Sequence, residues 1–137
     1  MGPEVVPAPP LRLTEAQVPD DVDLVVLFGS RARGNAHASS DWDVGVRFHR
    51  PQQPLLHHCA LDPVLARAIG CSSDAIDLVE LDQVSYLLQR CVAEDGIALF
   101  ERQPGLFTSF CSRAIRQWAD WQRRQQKLAQ ERAVPLP

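Results

Sequence analysis

Lysine is nearly missing from this chain of 137 residues: thirteen arginines and one lysine, Lys127, carry its positive side-chain charge. The skew suits a GC-rich coding sequence and says little about chemistry. Long apolar runs are missing too. None approaches the ~20 residues that a membrane-spanning helix needs. The four cysteines, Cys59, Cys71, Cys91 and Cys111, form no CxxC pair, so they read as reduced thiols of a cytoplasmic protein rather than a disulfide frame. His57-His58-Cys59 has no second ligand pair at zinc spacing, and a zinc site is not expected there. The opening MGPEVVPAPPLRL lacks a basic stretch ahead of an apolar one, so a signal peptide is not expected. No internal repeat is visible, and only the Pro-rich ends are of low complexity.

What remains is ordinary in bulk and uneven in charge. Apolar residues make up 45% and charged residues 23%, as in a soluble globular domain. The length suits one domain with a sizeable core. The net charge is -3, yet Arg102 to Arg132 holds seven basic and two acidic residues. That segment is therefore +5 and the remainder -8. An acidic body with a basic end argues against a nucleic-acid sleeve and allows a basic contact surface at one end.

Along the chain, apolar runs alternate with helical patterns. VDLVVLF (22–28) reads as a strand buried on both faces, and Gly29 breaks it. Residues 30–36 suit a short helical turn ended by Gly34 and Asn35. WDVGVRF (42–48) is a second strand. Pro54 suits the first position of a helix to about Ile69. AIDLVEL (75–81) is a third strand. Asp82 is a fair N-cap for a helix over 84–93. IALFE (97–101) is a short strand or edge, and a long helix follows over 106–132. This order predicts an α/β or α+β domain with a small sheet flanked by helices. The expected divisions are a flexible Pro-rich lead-in over 1–18, a core over 19–103, and a C-terminal helix and tail over 104–137.

The chemistry concentrates in FGSRARGNAHASSDWDVGV (28–46). Gly29 lets backbone approach a ligand closely, and Ser30 offers a hydroxyl and an N–H, a natural phosphate cradle. Asp41 and Asp43 are two residues apart in a strand pattern, so their carboxylates share a face. Such a pair repels itself unless a cation sits between, and Mg²⁺ takes a few carboxylates with phosphate oxygens. Asp77, flanked by Ile76 and Leu78, completes a three-carboxylate site if the second and third strands are neighbours. Arg31 and Arg33 read equally well as phosphate partners or loop residues, with Arg31 the more readily exposed. His37 reads as a solvated loop residue.

Gly29-Ser30, the Asp41-x-Asp43 pair ten residues on, and Asp77 in a later strand together resemble the nucleotidyltransferase superfamily that includes DNA polymerase beta. The strings GSRARG, SDWDVGV and IDLVEL resemble its minimal nucleotidyltransferase (MNT) domains, often the antitoxin half of a HEPN/MNT toxin–antitoxin pair. The resemblance covers about Val22 to Phe100. It implies that Gly29, Ser30 and Arg33 hold the nucleotide. It also implies that Asp41, Asp43 and Asp77 bind two Mg²⁺ and carry catalysis, with attack on the α-phosphate of ATP. The implied acceptor is a tyrosine hydroxyl of a HEPN-type toxin. Two alternatives stand beside it: transfer to a small antibiotic, and an idle module that blocks its toxin by contact alone.

The last helix carries a second pattern. Phe107, Cys111, Ala114, Trp118, Trp121, Gln125 and Leu128 recur at spacings of four and three, which draws one seam. Phe107 to Ala114 is expected to pack on the domain's own core. Trp118, Trp121 and Leu128 reach further than a small body needs, and aromatics among arginines suit a protein interface. A homo-oligomer stays open.

Overall fold

The computed structural model describes residues 12–49 and 54–133, with the side chains of 54–60 left undescribed; the His57-His58-Cys59 reading lies outside the described side chains. Four strands, β1 (Val22–Phe28), β2 (Trp42–Phe48), β3 (Ile76–Glu80) and β4 (Ile97–Glu101), form one sheet in the order β3-β2-β1-β4. β1 pairs antiparallel with β2 and β4, and β2 pairs parallel with β3. The helices are α1 (Gly29–Arg33), α2 (Pro54–Ile69), α3 (Tyr86–Asp95) and α4 (Leu106–Arg132). The sheet is therefore mixed. α2 makes the crossover that a parallel pair requires.

From Leu24 to Phe28 β1 is apolar because it feeds two cores. Val25 and Leu27 join one cluster with Val44, Val46, Leu61 and Leu65, while Leu24, Val26 and Phe28 join another with Leu81, Val92, Phe110 and Ala114. Alternate strand residues point to opposite faces, so α2 covers one face and α3 with α4 the other. The register shifts between Val22 and Leu24. This bulge puts Val22 on the α2 side despite its spacing from Leu24.

Three details differ from the sequence expectation. Leu13 and Val18 are buried in the α2-side core, and the Leu13 N–H donates to the Leu99 carbonyl at 2.8 Å; the lead-in was expected to run through residue 18. The helix expected from Val84 with Asp82 as its cap begins at Tyr86. Its N-cap is Ser85, whose Oγ accepts from the Leu88 N–H at 3.2 Å. Asp82 instead pairs with Arg47 at 3.5 Å. On α4, Phe110 is buried beside Ala114, a core position that the seam reading did not include. From Asp120 to Ala133 every residue is exposed, so about 20 Å of helix projects past the body.

Candidate active site

The site grows from the β1–β2 hairpin. β1 ends at Phe28, which pairs with Asp43 of β2. Gly29 follows with φ +73°, and a Cβ there would collide with Asp43 Oδ2. Only glycine combines this left-handed turn with so close a carboxylate. α1 then makes one turn and stops at Gly34, a left-handed C-cap whose N–H donates to the Ser30 carbonyl.

Strand registry brings the acids together. Trp42, Val44 and Val46 face the α2-side core, so Asp43 faces the opposite side. β2 and β3 run parallel, with Asp43 directly beside Asp77. Both carboxylates thus share one face at one end of the sheet. Asp41 lies just ahead of β2, in the loop, and is exposed; Asp77 is exposed and Asp43 half-buried. Burial, followed by repulsion from Asp77 and Asp41, pushes the Asp43 carboxyl above its ordinary range, while Arg33 pulls it back. Asp77 is the second residue of β3.

The two arginines have separate tasks. Arg33 pairs with Asp95, at the C-terminal end of α3, at 3.6 Å, and both side chains are substantially exposed. Its positive charge also opposes the rise of the Asp43 carboxyl. Arg31 was read as the more exposed of the two, and the structure corrects this: it is buried at 5% exposure. Its guanidinium stacks over the Trp42 ring at 4.3 Å. Nη2 donates to the Ser40 carbonyl at 2.8 Å and the Ala38 carbonyl at 3.3 Å. Arg31 thereby clamps the loop that delivers Asp41. Composition treats arginine as a surface residue, and only the fold brings Trp42 beneath it. The Asp95 partner of Arg33 left no local signal at all. His37 is exposed, as read, and its backbone N–H donates to Ser40 Oγ.

A carboxylate pair in adjacent strands, with a third ahead of it, is a donor set suited to Mg²⁺. Burial and the like charges of Asp77 and Asp41 around Asp43 point the same way, since a cation beside it would relieve the repulsion. Among the described residues, no three acidic, His or Cys side chains form a ready metal cage. The arrangement fits a Mg²⁺ that completes its shell with water and phosphate oxygens rather than one held by protein alone.

The model of the polymerase beta nucleotidyltransferase family matches residues 14–105. The chain belongs to this family. All the site residues read from sequence, Gly29, Ser30, Arg33, Asp41, Asp43 and Asp77, lie inside the matched segment, and α4 begins just beyond it. A protein adenylyltransferase, MntA of Aphanizomenon flos-aquae (strain 2012/KM1/D3), is 37% identical over 98 residues. That match covers 67% of this chain and 65% of the relative, so it spans about two thirds of each. A toxin–antitoxin complex solved with AMP-PNP contains a chain that superposes with a TM-score of 0.65 at 24% identity, over 87% of this chain and 91% of the other. A complex of tri-AMPylated Shewanella oneidensis HEPN toxin with its MNT antitoxin matches at 0.60 and 21% identity, over 88% and 90%. At these identities the nucleotidyltransferase fold is what is shared. As a member of the family, the chain has the mixed sheet and flanking helices expected from its sequence, with a long helix added at the C-terminal side.

Proposed function

We propose that this nucleotidyltransferase is an antitoxin that transfers AMP from ATP to a hydroxyl of a HEPN-type toxin, most simply a tyrosine. The observation that carries the reading is the parallel registry of Asp43 and Asp77 under the Gly29 turn. The relationship to MntA, a protein adenylyltransferase, points to the same chemistry. Gly29 and Ser30 receive the triphosphate, with Arg33 turning from Asp95 toward phosphate. Asp41, Asp43 and Asp77 hold Mg²⁺, with two ions as the family resemblance implies. Bound Mg²⁺ supplies neutralisation of the charge that develops on the phosphate oxygens. Asp77, the more exposed of the registered pair, takes the proton of the acceptor hydroxyl. The acceptor oxygen bonds to the α-phosphorus as the bond from that phosphorus to the bridging oxygen breaks, and pyrophosphate leaves. Most of the rate comes from positioning and charge neutralisation, as in other phosphoryl transfers.

Transfer to a small antibiotic is the weaker alternative, because the relative at 37% identity is a protein adenylyltransferase. Contact-only inhibition is disfavoured by the intact carboxylate set. The deciding experiment follows α-labelled ATP with the chain and a HEPN-type toxin. Label is expected on the toxin with Mg²⁺ present, and not with the Asp41→Ala/Asp43→Ala variant. Protection of cells by that double variant, equal to the unmodified chain's, would hand the case to contact alone.

A further inference from the structure

Among the described residues, the large apolar side chains left exposed are Tyr86, Leu87, Ile115, Trp121 and Leu128. All five belong to α3 and α4. An apolar surface gathered on two adjacent helices is a mark of association. Three of the five lie together: Tyr86, Leu87 and Trp121, with Trp118, line a cleft of about 610 Å³ between the start of α3 and the middle of α4. Trp118 and Trp121 stack on one another with ring centroids 5.2 Å apart. They present one broad aromatic wall.

The helix that supplies the aromatic wall is basic. Arg90 lies over the Trp118 ring at 5.5 Å and is itself paired with Glu94 at 2.9 Å. α4 carries Arg113, Arg116, Arg123, Arg124, Lys127 and Arg132 against Asp120 and Glu131. It is therefore +4 in a chain of net charge -3. Asp120 is itself paired with Arg123, and Asp82, at the cleft's edge, with Arg47. The charge of α4 thus calls for an acidic occupant, and the shape and lining of the cleft call for an apolar stripe. An amphipathic helix with acidic flanks supplies both.

We propose that this α3–α4 cleft docks an acidic amphipathic helix of the acceptor protein. The proposal rests on the reading of the chain as a protein-modifying enzyme. The cleft opens at Tyr86, and Asp95, the partner of Arg33, closes the other end of the same ten-residue helix. The docking cleft and the site loop are thus ~15 Å apart along α3. A partner held at the first end can present a hydroxyl at the second.

The test uses the full chain and two synthetic amphipathic helices, one of Glu and Leu, the other of Lys and Leu. Trp118 and Trp121 report docking through their fluorescence. The acidic helix is expected to bind saturably, more weakly as salt rises. Leu87→Lys/Trp121→Lys should weaken it ~10-fold or more. Both positions are exposed, so the fold is expected to survive, which the thermal midpoint checks. Arg123→Glu/Arg124→Glu should weaken it as well. Equal or tighter binding of the basic helix overturns the proposal. So does unchanged binding by the Leu87/Trp121 variant, displacement by single-stranded RNA, or self-association of the chain that those substitutions abolish. Label transfer keeps the two readings apart. If the Leu87/Trp121 variant labels the acceptor with an unchanged KM, the cleft is wrong and the enzyme stands. If the unmodified chain labels no protein yet still binds the acidic helix, the cleft stands as a docking site and the transfer reading falls.

Discussion

The two ends of α3 present opposite surfaces. Around Asp95 the chain is polar and tightly specified: a glycine turn that excludes a Cβ, three acids, and an arginine buried to hold one loop. Around Tyr86 it is apolar, aromatic and open, with Arg90 at the margin. The first surface has little tolerance, because its function depends on atoms placed against one another. The second tolerates variation, because burial of aromatic area depends less on exact placement. A single small domain can keep chemistry and recognition apart in this way, and changes at one end should leave the other alone.

The largest expected effect tests that separation. Asp43→Ala should reduce AMP transfer by ~10³-fold or more, the scale of several kcal/mol of lost charge stabilisation. Binding of the acidic helix should be untouched. A fluorescence titration in which Asp43→Ala also loses docking would merge the two surfaces into one.

Next comes the clamp. Arg31→Ala should lower kcat/KM by about 10–100-fold, because the loop ahead of Asp41 loses both carbonyl contacts and misplaces the acid. Arg31→Lys should recover little, since an ammonium cannot reproduce the planar stack on Trp42 with two fork donors. Steady-state kinetics with labelled ATP checks both, and full rescue by lysine would reduce Arg31 to a mere positive charge.

Much of this was legible in the sequence, for physical reasons that can be named. The strands were readable because they are apolar runs cut off by glycine or proline, and the long helix because its apolar spacing persists. The proximity of Asp43 and Asp77 followed as soon as β2 and β3 were neighbours, since parallel registry did the rest. The start of α3 was not readable, because Asp82 and Ser85 are equally good caps and only the Arg47 pairing decides between them. Burial of Arg31 was hidden as well, for its partners arise from tertiary packing rather than from neighbouring residues.

A smaller effect belongs to the cleft. Leu87→Lys/Trp121→Lys should raise the KM for the acceptor protein about 10-fold, with kcat unchanged. A fall in kcat would mean that the cleft reaches into the chemistry.

The smallest concerns stability. Burial and like charges raise the Asp43 carboxyl above its unfolded value, so the folded protein favours the protonated form. The ionised group then costs stability above that raised pKa, and the cost fades as pH falls toward the ordinary carboxylate range. Asp43→Asn should therefore melt higher than the unmodified chain at neutral pH without divalent cation, by roughly 2–4 °C. The two curves should converge in acid. A lower midpoint for Asn at neutral pH would mean that Asp43 is held by partners rather than strained by neighbours.

The parallel pairing of β2 with β3 sets an order of assembly. Thirteen residues separate β1 from β2, and twenty-seven separate β2 from β3. Short-range pairings close earlier than long-range ones, so the hairpin that holds Gly29 against Asp43 forms first. Asp77 arrives only when the α2 crossover closes. A half-folded chain can therefore hold the Gly29 turn against Asp43 without its third acid. The β1–β4 pairing spans sixty-eight residues and closes later still, so the three acids gather before the sheet is complete.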